Sequence, residues 1–467
     1  MSPTRTIVIV GAGFCGTLVA ANLLRSRPGP ATRVVLIERS GRTARGTAYA
    51  DRGHPFLLNV PAGRMSADSR RPLDFLDFAR RQYPAATVDD FLPRALYGEY
   101  LEATLLDAEL AAPAHTRLER VCAQASGIEP IEGSSQHRVQ LADGRSLIAD
   151  DVVLALGNPP PAELAGTQTL DEPCYTADPW AGSLRFQPGE SVLLIGTGLT
   201  AVDVALAATA NGRVTIHCIS RHGLLPASQT PFSLATFKGD RTALLRAASF
   251  SALTLVRCIR EFADETQRNG SDWREAITFV RANAPALWQR LPLREKRRIL
   301  RHVRPYWDVH RHRLPAETLD RIRDLRVGKY LNIHAGRLLA FEKNGSRVKV
   351  TWRARGVQRA QSLVVDRVVN CTGPDYDARR WRDPLMRALL AQGLATTDSL
   401  RLGLRTGARG ELIDSRGRTA SNLFYIGPML RADHWEATAA QELRGHAERL
   451  AGLLAAPAGA IQSVGAL

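Results

Sequence analysis

The sequence has few cysteines, and no two of them stand close together. Six cysteines are spread over 467 residues without a Cys-x-x-Cys motif. Zinc sites and disulfide frameworks need cysteines at short, regular spacings. Neither therefore organises this chain, and no metal site is predicted. The absence of a close pair also argues against a redox-active disulfide.

Long apolar runs are missing as well. No uncharged apolar stretch reaches the ~18 residues of a membrane-spanning helix. The N-terminal apolar run leads directly into glycines rather than into a signal-peptide cleavage site. With 45% hydrophobic and 23% charged residues, the composition is that of an ordinary soluble globular protein. We therefore expect a cytoplasmic protein that has no membrane partner.

Lysine is also scarce, although the chain is strongly basic. Only 5 of the 62 basic residues are lysines, and with 46 acidic residues the net charge is +16. Such an excess raises the question of nucleic-acid binding. The arginines are scattered rather than clustered, however, so no nucleic-acid partner is predicted. Residues 231–334 hold 21 basic and 11 acidic side chains, a charge that suits an anionic small substrate.

The N-terminus carries a complete dinucleotide-binding pattern. Residues 5–10 are a short β-branched run that predicts a buried strand, and Gly11, Gly13 and Gly16 follow it at the start of a predicted helix. The glycines allow a tight turn, the approach of a pyrophosphate and close helix–strand packing, respectively. A second predicted strand ends at Glu38, whose carboxylate suits a ribose hydroxyl. We interpret this segment as a cofactor site.

A second pattern of this kind begins near the middle of the chain. The run SVLLIG leads into Gly196, Gly198 and Ala201, which open another predicted helix. The next strand ends at Ser220 and Arg221 instead of an acid. Loss of the acid and gain of an arginine favour a 2′-phosphate, and hence NADPH over NADH. Alternatively, Arg221 is only a polar residue at a strand end, so the choice of coenzyme stays open.

Two further strands share the form Asp-x4-[Ala/Cys]-x-Gly, and end at Gly157 and Gly373. In flavoproteins with two dinucleotide domains, such strands mark the crossings between the domains. The fold class is therefore predicted as α/β, with a discontinuous FAD domain, an inserted NAD(P) domain and a helical insertion. The predicted boundaries are residues 1–185 and 375–467 for the FAD domain, 186–374 for the NAD(P) domain, and about 231–330 for the insertion.

With these two glycine motifs and several local motifs, the chain resembles a bacterial family of FAD/NAD(P)-binding flavoproteins, which is related to flavin-containing monooxygenases and ornithine N-hydroxylases. The local motifs that carry the resemblance are Gly46-Thr-Ala-Tyr49, Leu58-Asn-Val-Pro61, Phe91-Leu-Pro-Arg94, Trp307-Asp-Val-His-Arg-His-Arg313, Tyr425-Ile-Gly427-Pro428 and Trp435-Glu436. One branch is similar to FAD-dependent urate hydroxylases. The histidine of the Baeyer–Villiger fingerprint is absent from the linker Cys174–Trp180, so that activity is not expected.

The resemblance implies FAD and NAD(P)H as cofactors, molecular oxygen as co-substrate, and several site residues. Gly46 and Gly427 are expected at the flavin cofactor. Asn59 is expected either to hydrogen-bond the flavin ring or to stabilise a turn. His310, Arg311 and Arg313 form a local cationic group that suits a small anion such as urate. The alternatives for this group are surface charges and contacts to the NAD(P) phosphate.

The leading hypothesis is an FAD-dependent NAD(P)H monooxygenase that hydroxylates a small anionic heteroaromatic substrate, with conversion of urate to 5-hydroxyisourate as the best candidate. The first alternative is an N-hydroxylase of an amino acid or amine. The second is a non-catalytic flavoprotein that senses nucleotides. The sequence leaves the oligomeric state open.

Overall fold

The computed structural model describes residues 4–26, 31–229 and 239–456. The first eight residues of the predicted insertion, 231–238, therefore lie outside the described part of the chain. The chain divides into two compact units. The first unit contains residues 1–51, 55–159 and 376–467, and the second contains residues 52–54 and 160–375.

The first unit opens with an α/β arrangement. Its N-terminal strands are β1 (Arg5–Val10), β2 (Thr32–Glu38), β3 (Thr116–Cys122), β4 (Ala125–Pro130), β5 (His137–Leu141), β6 (Ser146–Ala149) and β7 (Asp151–Leu154). Its N-terminal helices are α1 (Phe14–Arg25), α2 (Gly46–Tyr49), α3 (Asp74–Ala79) and α4 (Arg94–Leu110), with a 3-10 turn at Ala62–Arg64. The apolar side chains of β1 and, apart from Phe14, those of α1 are almost fully buried, because α1 packs across the sheet as a crossover between parallel strands.

The second unit repeats this plan around its own core. Its strands are β8 (Tyr175–Thr176), β9 (Ser191–Ile195), β10 (Thr215–Ser220), β11 (Leu331–Asn344), β12 (Arg347–Ala354), β13 (Ala360–Val365) and β14 (Arg367–Asn370). Its helices are α5 (Leu199–Thr209), α6 (Arg241–Phe250), α7 (Ala252–Arg268), α8 (Trp273–Arg290), α9 (Leu293–Arg298), α10 (Arg304–Arg311) and α11 (Ala316–Val327), with a π-helical segment at Ile299–Val303. The sheet order is β13-β12-β11-β10-β9-β14-β8.

The helices between β10 and β11 are the inserted segment of the second unit. Three of them begin at side-chain caps: Asp240 accepts hydrogen bonds from two backbone N–H groups of α6, Ser251 accepts one from α7, and Asp272 accepts one from α8. Such caps satisfy backbone donors at a helix start. The insertion thus connects two adjacent parallel strands, β10 and β11.

The C-terminal part of the chain completes the first unit. It adds α12 (Pro384–Ala391), β15 (Glu411–Ile413), β16 (Thr419–Tyr425) and α13 (Ala440–Ala455), with 3-10 turns at Ala378–Arg380 and Pro428–Ala432. The main sheet has the order β15-β16-β7-β1-β2-β3, and β4, β5 and β6 form a small antiparallel sheet. Two sheets, each with parallel strands around a glycine motif and an antiparallel edge, confirm the predicted α/β class with two Rossmann-like domains.

The observed division differs from the predicted boundary at residue 185. Residues 160–185 lie in the second unit, because β8 pairs with β14 and because Leu170 and Cys174 pack in the apolar cluster of that unit. The short strand β8 is only two residues long. It therefore gave no periodic pattern from which its sheet could be identified.

Candidate functional site

The first glycine motif forms a turn that only glycine can fit at two positions. Gly11 has a φ angle of +99°, and a Cβ atom there would collide with the carbonyl oxygen of Ala155. A Cβ on Gly16 would collide with the carbonyl oxygen of Gly11 and would lie 3.2 Å from Ile9 Cγ2. The close approach of β1, α1 and the end of β7 therefore depends on the absence of side chains.

Gly13 and Gly46 face each other beside the start of α1. A Cβ added to Gly46, whose φ is +52°, would lie 3.0 Å from the Cα of Gly13. The backbone N–H of Ala44 donates to the carbonyl of Ala12 at 2.7 Å, which holds the two segments together. Gly13 is also the N-cap of α1, and it makes no side-chain cap hydrogen bond. A bare backbone at a helix N-terminus fits the pyrophosphate of FAD.

Glu38 lies at the end of β2 with its carboxylate held in place. Its Oε2 accepts a hydrogen bond from the backbone N–H of Ala12 at 3.0 Å. Its Oε1 accepts hydrogen bonds from the N–H and hydroxyl of Ser40, at 3.0 and 2.8 Å. The structure thus orients the predicted ribose acceptor beside the glycine turn. Ser40 is a supporting residue that the sequence pattern did not single out.

The second glycine motif matches the first at its first position and differs from it at its second and third positions. Gly196 has a φ of +123°, and a Cβ there would lie 2.5 Å from the carbonyl oxygen of Cys371. A Cβ on Gly198 would have no atom within 4 Å. Ala201 replaces the third glycine, and its methyl group is buried with 1% exposure. This turn is therefore more open than the first one.

The end of β10 presents hydroxyl and basic groups. The Ser220 hydroxyl lies 2.9 Å from Thr197 Oγ1 and accepts a hydrogen bond from the N–H of Gly223 at 2.9 Å. Arg221 is exposed. His222 Nδ1 lies 3.3 Å from Nη1 of Arg355, which comes from the turn after β12. The sequence motif did not identify Arg355, because it lies more than 130 positions away along the chain.

The two strands that end at Gly157 and Gly373 are built alike. Asp150 accepts the backbone N–H of Thr6 at 2.7 Å, and Asp366 accepts that of Ser191 at 2.7 Å. The first residue of each repeated motif therefore binds the neighbouring strand at its start. Gly157 and Gly373 both have positive φ angles, +72° and +81°, with no atom within 4 Å of an added Cβ. Open glycines at the carboxyl ends of central strands leave room for a ligand.

Asn59 and Gly427 lie in the first unit. Asn59 is half-buried in the loop between the Leu57–Pro93 bridge and the turn at 62–64. Gly427 has a φ of +146° and would place a Cβ 2.7 Å from Tyr425 Oη. That hydroxyl accepts the N–H of Met429 at 3.2 Å, and burial raises the pKa of Tyr425 above its usual range. The role of Asn59 at a flavin ring stays a prediction.

His310, Arg311 and Arg313 lie in the second unit, whereas Asn59 lies in the first. All three are half-buried. His310 Nδ1 donates to the carbonyl of Tyr306 at 2.7 Å, and the His310 ring packs edge-on against Trp273 at 5.1 Å. His310 and Arg311 occupy the last turn of α10, where the Arg311 guanidinium also stabilises the helix dipole. This structural role accompanies the predicted role in substrate binding.

A buried arginine was missed by the sequence analysis. Arg431 is 7% exposed, and its guanidinium stacks 4.1 Å from the Trp435 ring centroid and 5.6 Å from that of Tyr376. Trp435 belongs to a motif noted in the sequence, but nothing in the local pattern indicates that Tyr376 is its neighbour. Stacking of this kind fixes the plane of a guanidinium.

No metal cluster accompanies these groups in the part of the chain that the structure describes. Among residues 4–26, 31–229 and 239–456, no group of three or more His, Cys, Asp or Glu side chains is arranged to hold a metal ion. Within the same described part of the chain, no helix combines the length and the apolar character needed to span a bilayer. All six cysteines are free thiols, and Cys122 alone is exposed.

Comparison with known proteins gives a family for the N-terminal segment. Residues 8–159 match the FAD-NAD(P)-binding family. This match includes the first glycine motif, Glu38 and Gly157, and it identifies FAD and NAD(P) as the cofactors associated with the segment. Among curated proteins, none matches the sequence significantly.

Solved structures show the same fold over nearly the whole chain. Ornithine hydroxylase from Pseudomonas aeruginosa is 15% identical with a TM-score of 0.62, and the match covers 97% of this chain and 99% of that one. Ornithine N-hydroxylase from Kutzneria sp. 744 is 14% identical with a TM-score of 0.60, covering 96% and 98%. Cadaverine monooxygenase from Erwinia amylovora is 15% identical with a TM-score of 0.60, covering 97% and 95%. The predicted resemblance to FAD/NAD(P)-binding flavoproteins with two dinucleotide domains is confirmed.

Proposed function

We propose that this protein is an FAD-dependent NADPH monooxygenase. The observation that carries the proposal is the pair of glycine turns, one with an oriented carboxylate at its strand end and the other with arginines. Two dinucleotide sites of opposite charge in one chain suit a flavin and a phosphorylated nicotinamide coenzyme. The solved structures with this fold include hydroxylases and monooxygenases, which supports the reaction class.

In this proposal the first unit holds FAD and the second holds NADPH. Gly13 and Gly46 admit the FAD pyrophosphate to the backbone at the start of α1, and Glu38 accepts hydrogen bonds from the ribose. Gly196 and Gly198 serve the coenzyme pyrophosphate in the same way. Bound FAD would supply the redox chemistry by accepting a hydride and activating oxygen. The protein supplies binding, orientation and exclusion of water.

Urate is the substrate candidate that the positive charge of the second unit's inserted segment favours. The segment 231–334 carries an excess of ten positive charges, and Arg311 and Arg313 present planar guanidinium groups that suit the edge of an anionic heteroaromatic ring. A half-buried site with this charge disfavours a cationic amine. We therefore propose conversion of urate to 5-hydroxyisourate as the first reaction to test.

N-hydroxylation of an amine is the second candidate function. Its support is the fold shared over almost the full chain with enzymes named for ornithine and cadaverine. The identities of 14% and 15% are too low to transfer a substrate. The two candidates differ in the charge of the substrate, which makes them easy to separate in one assay.

The experiment is a substrate panel on the purified protein. The flavin spectrum is recorded first, and NADPH oxidation and oxygen consumption are then followed with urate, ornithine, lysine and cadaverine. Urate-dependent oxidation with loss of urate absorbance supports the leading proposal. Stimulation by amines alone, with a hydroxylated amine as product, supports the second candidate. A protein that binds flavin but is not reduced by NADPH or NADH is instead the non-catalytic nucleotide sensor.

Arg311→Ala tests the cationic group on α10. If Arg311 contacts the substrate, KM for the active substrate rises about tenfold or more, because a charge-assisted hydrogen bond is lost, while the FAD content stays unchanged. Arg323→Ala, at an exposed arginine on α11, is the matched control. A parallel fall in FAD content and activity would show instead that Arg311 stabilises the structure.

A further inference from the structure

The inserted segment carries a basic run that lies outside both glycine motifs. Residues 290–304 hold seven basic residues and one acidic residue, so the net charge of the run is +6. The run extends from the last residue of α8 through α9 and the π-helical segment to the first residue of α10. The arginines of the run that are exposed to solvent are Arg290, Arg294, Arg297, Arg298 and Arg301.

The helical backbone places these arginines on the solvent side. Glu295 and Ile299, four positions apart, are the buried residues of α9 and the π-helical segment. Arg297 and Arg301 are also four positions apart and are exposed. Residues at this spacing are neighbours on a helix surface, and like charges there destabilise the helix. Helix stability therefore does not explain the row of arginines, which suits an anionic partner instead.

The one acidic residue of the run does not neutralise it. Glu295 is 4% exposed, and its Oε1 accepts a hydrogen bond from Nη1 of Arg298 at 2.8 Å. In the described part of the chain, the residues of this run that form ion pairs are Arg294, Glu295, Arg298 and Arg304. The guanidinium groups of Arg297 and Arg301 thus face solvent without an acidic neighbour in the run.

Three exposed apolar side chains accompany the arginines. Phe250 ends α6, Leu253 lies in the first turn of α7 and Leu293 begins α9, and they are 72%, 59% and 45% exposed. The backbone N–H of Ala252 donates to Oε2 of Glu295 at 3.0 Å, which joins the α6–α7 junction to α9. The apolar side chains and the arginines therefore share one end of the insertion. Large apolar side chains grouped at a surface mark an interaction site.

An anionic bilayer matches this combination of groups. Basic side chains are attracted to anionic lipid headgroups, and phenylalanine and leucine enter the boundary between headgroups and acyl chains. A nucleic acid would use the arginines through its phosphates, but it would leave the leucines in water. A second copy of the chain would present the same positive charge and be repelled.

We propose that Phe250, Leu253, Leu293, Arg297 and Arg301 form a surface that docks on anionic phospholipid bilayers. The expectation of no membrane partner was drawn from the lack of a spanning segment, and it does not concern contact with a bilayer surface. The inference also does not depend on the proposed monooxygenase function, because none of these residues belongs to a proposed cofactor or substrate site.

The test is co-sedimentation of the full chain with vesicles. One set of vesicles contains phosphatidylcholine alone, and the other contains phosphatidylcholine mixed with phosphatidylglycerol. The protein is expected to bind the second set, and raised salt is expected to weaken this binding. The double variant Arg297→Glu/Arg301→Glu should weaken it about tenfold or more. Arg337→Glu/Arg353→Glu is the matched control, because it reverses two exposed arginines on the hairpin of β11 and β12.

A second variant tests the apolar part of the surface. Phe250→Ser/Leu253→Ser leaves the charge unchanged and alters two exposed positions, so the fold is retained, which circular dichroism checks. Its binding to vesicles that contain phosphatidylglycerol should fall, because less apolar surface enters the bilayer.

Three results would overturn the inference. The first is a wild-type protein that does not sediment with vesicles containing phosphatidylglycerol. The second is an Arg297→Glu/Arg301→Glu variant that binds them as well as the Arg337→Glu/Arg353→Glu control. The third is undiminished vesicle binding by the Phe250→Ser/Leu253→Ser variant together with equally tight binding of polyuridylate RNA, which would make the surface a general polyanion site.

Discussion

The two glycine turns of this protein share one constraint and differ in the rest. In both, the first glycine has a positive φ and faces a carbonyl oxygen of the neighbouring strand, that of Ala155 for Gly11 and that of Cys371 for Gly196. The third position differs. Gly16 has no room for a methyl group, whereas Ala201 carries one that is buried. The turn geometry is thus common to both units, while the helix packs more closely on the sheet in the first.

The strand ends beside the two turns differ in charge. Glu38 supplies a carboxylate held by three hydrogen bonds. Ser220 supplies a hydroxyl, with Arg221 next to it and Arg355 close to His222. A carboxylate accepts hydrogen bonds from ribose hydroxyls but repels a 2′-phosphate, whereas arginines attract a 2′-phosphate. In the proposed function, these few side chains at the strand ends distinguish the two dinucleotides.

The largest expected difference between the two turns is the loss of stability when a glycine is replaced by alanine. Gly16→Ala should lower the free energy of unfolding by about 3 kcal/mol or more, because backbone atoms of Gly11 occupy the space. Gly198→Ala has open space and a negative φ, so its stability should change by less than about 1 kcal/mol. Denaturant unfolding of both variants measures the difference. Equal losses would show that the two turns pack alike.

An intermediate effect is expected on FAD binding when the Glu38 carboxylate is replaced. Glu38→Gln removes charge-assisted hydrogen bonds to the ribose, so the Kd for FAD should rise about tenfold or more. Reconstitution of the apoprotein with FAD, followed by flavin fluorescence, measures this Kd. The affinity for NADP+ should not change. A fall in NADP+ affinity of similar size would mean that the two units do not bind their dinucleotides separately.

A further effect, seen only in acid, is expected from a histidine pair of the first unit. Each unit has a histidine pair, His434 with His446 and His217 with His334. Burial, with the charges of Arg449 and His434, lowers the pKa of His446 from an ordinary 6.5 to about 4. The unfolded chain therefore takes up this proton first as the pH falls. The folded state loses at most about 3 kcal/mol between pH 6.5 and 4.

His446→Gln tests this acid sensitivity. The loss of Tm between pH 7 and pH 4.5 should become smaller in the variant, because glutamine takes up no proton in either state. The exposed His115→Gln is the control and should leave the pH profile unchanged. A His446→Gln profile that matches the wild type would exclude this histidine as a source of acid instability.

Local patterns predicted the features that depend on neighbouring residues. The glycine turns, the flanking strands and the acid at Glu38 follow from backbone sterics and strand periodicity, and the structure contains each of them. The boundary at residue 185 was not recoverable, because residues 160–185 join the second unit through the two-residue strand β8. Ser40 was missed because short polar residues are common after strands, and its contact with Glu38 depends on the turn.

The amino-acid sequence by itself determined that this chain has two glycine turns of the nucleotide-binding type and an α/β fold, because each turn has at least one position whose steric demands only glycine meets. Only the tertiary structure decided which distant groups stand beside those turns. Arg355 and Tyr306 reach the end of β10 from a hairpin and from an inserted helix, and their approach depends on sheet order and backbone hydrogen bonds between remote segments. Long-range pairing of this kind leaves no periodic trace in the sequence.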